Sequence, residues 1–262
     1  PDSALDCFPK MDMMTGFNAP LKPEGEERMH VRDEPDTFTN VMVDNVWKGQ
    51  RCFIIGGGAS LKDFDFSRLE SELTIGVNRA YEKLPCTIMF ATDAKLYKWI
   101  TDETLGVEAK RKFEEFQGHK VWLDSQNNKF KGVHRLTRLG GDGLSFSLKN
   151  GLVSGGNSGY GALNLAVCLG ANPIYLLGFD MKGIGGKQAH WHDGYPNAQP
   201  DSVYKKFKAY FDSAAPILKE KGIKVINLNP DSELKCFEFG DMEKLVEPLG
   251  KYVYHEGLDS KK

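Results

Sequence analysis

The sequence predicts an α/β fold, a mostly parallel sheet with helices on both faces. Short apolar runs recur along the chain, among them CFII at 52–55, TIMFA at 87–91 and IYLL at 174–177. Stretches with helical spacing alternate with them. Strands apolar on both faces belong to buried sheets, and parallel neighbours need a covered crossover between them.

The elements follow in order. Residues 1–35 mix prolines, charges and methionines without periodicity, and read as an irregular extension. Phe38, Val41, Val43 and Val46 make 36–50 a lead-in, helix or strand. The extension is bounded at 1–45, and one domain follows over 46–262. RCFIIG is the first strand. Ser60 to Glu72 reads as a helix, with Ser60 as N-cap and Asp63 three residues on. LTIGVN and CTIMFATD are the second and third strands. Helices are expected over 94–101 and 107–117, then the strand HKVWLD. The Asn-, Gly- and Ser-rich stretch 125–156 has room for short strands and an active-site loop. Residues 158–169 form a helix of small residues, and ANPIYLLGFD a buried strand. A Gly, His and Pro loop spans 181–200. Val203, Phe207, Tyr210, Phe211, Ala214 and Leu218 give 201–221 one apolar side. Lys224 to Leu228 is the last strand, and a short helix closes 240–248.

The 262 residues suffice for a substantial core. The formal net charge of -2 leaves no basic field for nucleic acid or a membrane surface. No apolar run approaches the roughly 20 residues of a membrane span, and no signal-type apolar segment is visible, so a cytoplasmic location is expected. Cys7, Cys52, Cys86, Cys168 and Cys236 are scattered and odd in number, which points to reduced thiols.

Ligands of such sheets bind beyond the carboxyl ends of the strands. That rule selects Gly56 to Ser60, Asn78, Asp93, Asp180 and Asn229. The loop Gly56-Gly57-Gly58-Ala59-Ser60 matches neither the P-loop nor GxGxxG, because Leu61 stands where a glycine belongs. It is a ligand-contacting loop or a tight turn. Asp180 holds a turn or a ligand. In AHWHDG, His190 and His192 suit removal of a proton near neutral pH. With Asp193 they also suit a metal, and the remaining reading is a loop that packs Trp191. His30, His119, His134 and His255 lack any partner pattern and read as surface or structural.

Taken together, GGGASLKDFDFSRL, IGVNRAY, MFATD, NSGYGALNLAVCLGANPIYLLGFDM and a histidine loop resemble the small bacterial sialyltransferases that modify lipooligosaccharide. They also resemble a related family with archaeal hydroxymethylpterin diphosphokinase-like members. The resemblance covers about residues 51–235. It implies a Rossmann-like domain that binds a nucleotide-activated donor of the CMP-sugar type, with no firm cofactor. By matching position Gly56, Gly58 and Ser60 would line the nucleotide, and Gly57 replaces an asparagine. Asn78 would contact the donor, and Asp93 stands where those transferases carry a second asparagine. Asn157, Ser158 and Gly159 match a Thr-Ser-Gly that holds nucleotide and sugar carboxylate. His192 matches their general base, with His190 as runner-up. Their tyrosine pair after the Gly-x-Asp strand is missing, and Lys182 and Lys187 would offset the phosphate charge instead.

The expected function is therefore glycosyltransferase-like transfer from a nucleotide-linked small molecule to a hydroxyl acceptor, a glycan or a small molecule. The first alternative is Mg²⁺-dependent diphosphokinase-like transfer, with Asp93 and Asp180 on the ion. The second is a nucleotide-binding or assembly module without turnover.

Overall fold

The computed structural model describes residues 37–124, 130–197 and 199–245. The expected extension over 1–36, residues 125–129 and the end of the expected closing helix lie outside the described residues.

The chain builds strands β1 (Cys52–Ile55), β2 (Leu73–Val77) and β3 (Ile88–Ala91), then helices α1 (Ala94–Thr101) and α2 (Val107–Glu115). Strands β4 (His119–Asp124) and β5 (His134–Thr137) precede α3 (Ser158–Cys168) and β6 (Ile174–Leu177). A small hairpin, β7 (Gly183–Ile184) and β8 (Lys187–Gln188), is followed by α4 (Val203–Glu220), β9 (Val225–Asn227) and β10 (Glu238–Phe239). The main sheet has eight strands in the order β10-β9-β6-β1-β2-β3-β4-β5. Every pairing in it is parallel. This is the α/β, Rossmann-like architecture expected.

Side chains alternate across each strand, and each set finds its own cover. Ile54, Ile75, Ile88, Phe90 and Leu176 pack beneath α3 and α4, with Leu163, Phe211 and Leu218. Phe53, Ile55, Tyr175 and Leu177 face the other way, toward the short turns after β1 and β2. Met89, Ala91 and Trp122 on that face meet α1 and α2. Helix α3 is buried around most of its circumference, which its small and apolar residues permit.

Four expectations are corrected. The crossover after β1 is two 3₁₀ turns, Ala59–Leu61 and Phe66–Leu69. Ser60 does not cap a helix, because its hydroxyl donates to Asp180. Asp65 restarts the chain instead, accepting from the Ser67 amide at 3.1 Å. The last strand is β10, beyond Lys224–Leu228, and the closing helix is a 3₁₀ turn over Met242–Lys244. The 181–200 loop contains a hairpin, turned by Gly185 and Gly186 at φ 61° and 77°. Residues 37–47 are fastened to the body. Thr37 bridges Arg135, Phe38 is fully buried, and the Asn45 and Trp47 amides donate to the carbonyls of Cys168 and Leu169. Val41, Val43 and Val46 are exposed.

Cys52, Cys86 and Cys168 are buried free thiols, and Cys236 is half-buried and free. Among the described residues no helix is long and apolar enough to cross a membrane.

Candidate functional site

The sheet order reverses between β1 and β6. From β1 the chain runs outward through β2, β3, β4 and β5, then returns to the other side of β1. Loops leaving β1 and β6 therefore part in opposite directions, and a crevice opens beyond their carboxyl ends. A cleft of about 410 Å³ lies there.

Its floor comes from the β1 and β6 loops, Gly56 to Gly58 and Gly178 to Met181. The glycines let these loops touch. A Cβ on Gly56 would lie 2.6 Å from the Gly178 carbonyl oxygen, and one on Gly58 would lie 2.5 Å from the Asp180 carboxylate. Asp180 is only 7% exposed, and its carboxylate accepts from Ser60 N (2.9 Å), the Ser60 hydroxyl and Asn229 Nδ2 (2.8 Å). It fastens the two loops together. Ser60 points into this contact and does not line the cleft.

One wall is the start of α3. Asn157 caps the helix, accepting from Tyr160 N at 2.9 Å. Ser158 is buried, and its hydroxyl bonds Thr92 Oγ1 at 2.9 Å. The amides of Ser158 and Gly159 precede the first turn's bonding and carry the helix's positive end, with no acidic residue in that turn. Opposite stand Asn78 and the start of α1. Asn78 sits at φ 55° at the end of β2, and its Oδ1 is buried with no partner among the described residues. Asp93 caps α1, accepting from Lys95 N at 2.8 Å, and Lys95 and Trp99 project from the next turn into the cleft.

The histidine loop closes the top. His190 lines the cleft, and its strand bridges Gly58. His192 stacks behind it, with ring centroids 4.7 Å apart and planes 7° from parallel. His192 Nδ1 accepts the Gly194 amide at 3.0 Å, which leaves the proton of the neutral ring on Nε2. Trp191 pins the loop down, its indole donating to the Gly56 carbonyl at 3.0 Å. Buried Arg79 ties the loop to β2. It donates to the Gly194 carbonyl at 2.7 Å and holds Glu82 through two nitrogens. Burial, the neighbouring ring and the Arg79 charge push the His192 pKa down to about 3. Burial foremost, opposed by the Gly57 backbone, holds His190 below its ordinary value as well. Burial drives the Tyr195 phenol well above its usual range, with Asn78 acting the other way.

The structure thus gathers Gly56, Gly57, Gly58, Asn78, Asp93, Asn157, Ser158, Gly159, Asp180 and His190 around one cleft. His192 stands behind His190, off the wall, because Gly194 and Tyr195 hold its ring. Lys182 and Lys187 flank and form the exposed hairpin and do not line the cleft. Among the described residues, no three His, Cys, Asp or Glu side chains converge to hold a metal. Asp180 is engaged by Ser60 and Asn229, and Asp93 by α1. Sequence reasoning missed Arg79, Lys95, Trp99, Tyr195 and Tyr204. All sit in stretches whose helical or loop pattern explains them without a ligand. The signal available was position, since Lys95 and Trp99 follow a strand end by one and two helical turns.

No family model matches the chain, and no curated protein does. Among solved structures the chain is similar to the sialyltransferase CstII from Campylobacter jejuni, solved with a substrate analogue, CMP-3FNeuAc. The two share 16% identity over 72% of this chain and 86% of that one, with a TM-score of 0.44.

Proposed function

We propose that the chain is a transferase that takes a nucleotide-activated donor, of the nucleotide-sugar type, into this cleft and passes the activated group to a hydroxyl acceptor. The observation that carries the reading is one cleft with three matched parts. The Ser158 and Gly159 amides offer an anion site, the buried Asn78 Oδ1 lacks a donor, and His190 faces the same space. The motif resemblance over 51–235 supports it independently.

The chemistry assigned to each part is simple. His190, kept neutral, takes the acceptor hydroxyl's proton as that oxygen bonds to the donor's activated carbon. The bond from that carbon to the phosphate oxygen breaks, and the nucleotide leaves with the electron pair. Its charge is offset by the α3 amides and Lys95, because Lys182 and Lys187 stand outside the cleft. Asp180 shapes the glycine loop from beneath.

The test is thermal stability with CMP, CDP, UDP, GDP and ATP species, followed by turnover of the matching nucleotide-sugars. A nucleotide at about 100 times its Kd should add about 2.7 kcal/mol. A chain that none of them stabilises is no nucleotide-dependent transferase. Stabilisation that needs Mg²⁺ would move the assignment to phosphoryl transfer. Stabilisation without turnover would move it to a binding module.

A further inference from the structure

Trp99 has no structural work to explain it. It lies on α1 one turn after Lys95, so both project from one face of the helix, while Leu96 and Ile100 turn to the core. It is half-buried and belongs to none of the three apolar clusters. Its ring neighbour among the described residues is Tyr195, at 6.2 Å between centroids and 31° between planes. Tyr195 in turn meets His190 edge-on at 5.2 Å and His192 at 5.0 Å. An aromatic wall therefore runs from Trp99 through Tyr195 to His190. The α3 amides stand across the cleft from it. The rim of the same cleft carries three side-chain amides, Gln188, Asn197 and Gln199.

We infer that Trp99 and Tyr195 form the acceptor subsite and that they accept a pyranoside, with the apolar C–H face of its ring laid on the two aromatics. This rests on the transferase reading. An acceptor hydroxyl must come within hydrogen-bond reach of His190. The surface leading up to His190 on the side away from the anion site is this wall. A ring placed there meets a flat apolar face on one side and amide donors and acceptors at its edge. A pyranose has that dual character, with C–H bonds on its faces and hydroxyls around its rim. A purely apolar acceptor would leave the three amides unmatched, and a highly charged one would desolvate against the indole. Trp99 is then a specificity-determining residue, and Tyr195 serves twice, under the acceptor and against His190.

The test is saturation-transfer NMR on the full chain. The probes are methyl β-galactoside, methyl β-glucoside and methyl N-acetyl-β-glucosaminide, with the most stabilising nucleotide present. At least one glycoside should receive saturation, strongest on the C–H protons of one ring face. Trp99→Ala should lower that signal about 5-fold, the scale of one lost aromatic contact, and Trp99→Phe should keep most of it. The nucleotide's thermal shift should be the same in all three proteins, which also shows that the variants fold. If the nucleotide stabilises the chain but no glycoside is saturated, or Trp99→Ala keeps the full signal, the acceptor assignment falls. If no nucleotide stabilises the wild-type chain, the transferase reading itself falls, and this assignment with it.

Discussion

Two histidine pairs sit at opposite ends of the fold's logic. His190 and His192 stack at the cleft, two residues apart on one loop. His119 and His134 meet at the far edge of the sheet, Nδ1 to Nε2 at 3.5 Å, one on β4 and one on β5. Burial lowers the pKa of His119 as it does those of the cleft pair, with His134 adding to the effect. What differs is the company. The edge pair closes around Phe38, which touches both rings at 5.6 and 5.8 Å, and it opens onto no cleft. The cleft pair leaves His190 facing a cavity lined by ligand-type groups. A shifted histidine is thus equally compatible with packing and with chemistry, and the space before it decides which.

The largest expected effect separates the pairs. His190→Ala should lower transfer by about 10²- to 10⁴-fold, the usual worth of a general base, while His119→Ala leaves the rate nearly unchanged. Steady-state rates with the best nucleotide-sugar measure both. Equal losses in the two variants would erase the distinction.

Legibility in the sequence followed the same line. AHWHDG shows its pair at a glance, whereas His119 and His134 become neighbours only through the pairing of β4 with β5, where Val121 stands opposite His134. The strands were readable because burial on both faces writes continuous apolar runs. The crossover after β1 was misread because Ser60 finds its partner in Asp180, 120 residues away, and a local capping rule has no access to that. The choice between His190 and His192 turned on which ring the Gly194 amide holds, again a matter of three dimensions. The lysines of the hairpin were assigned by charge alone, and charge gives no direction.

The second effect concerns stability at the edge. Phe38 is fully buried, and Phe38→Ala should cost about 3–5 kcal/mol. Denaturant unfolding measures it. Nucleotide affinity should be retained wherever the folded state still dominates. A large loss of affinity would mean that the edge and the cleft are coupled, against the separation drawn above.

The smallest effect is graded with pH. The unfolded chain binds protons on histidine near pH 6.5, whereas His192 resists protonation in the fold down to about 3. The unfolded state therefore holds more protons over that window, and stability falls as pH drops from about 6.5 toward 3. Unfolding midpoints taken across this range should slope accordingly. His192→Gln should flatten the slope more than His119→Gln, because the cleft ring is shifted further. The reverse order would place the more strongly depressed site at the sheet edge.

The contact between Ser60 and Asp180 carries a consequence for the chain's synthesis. The glycine loop emerges from the ribosome long before β6, and at about 5–20 residues per second it waits on the order of ten seconds for the partner that gives it shape. During that interval β1 can pair with β2 on one side only. The cleft has no partial form in a nascent chain. A ligand that binds it can reward only molecules whose β6 has arrived, and so acts as a check on completed folding.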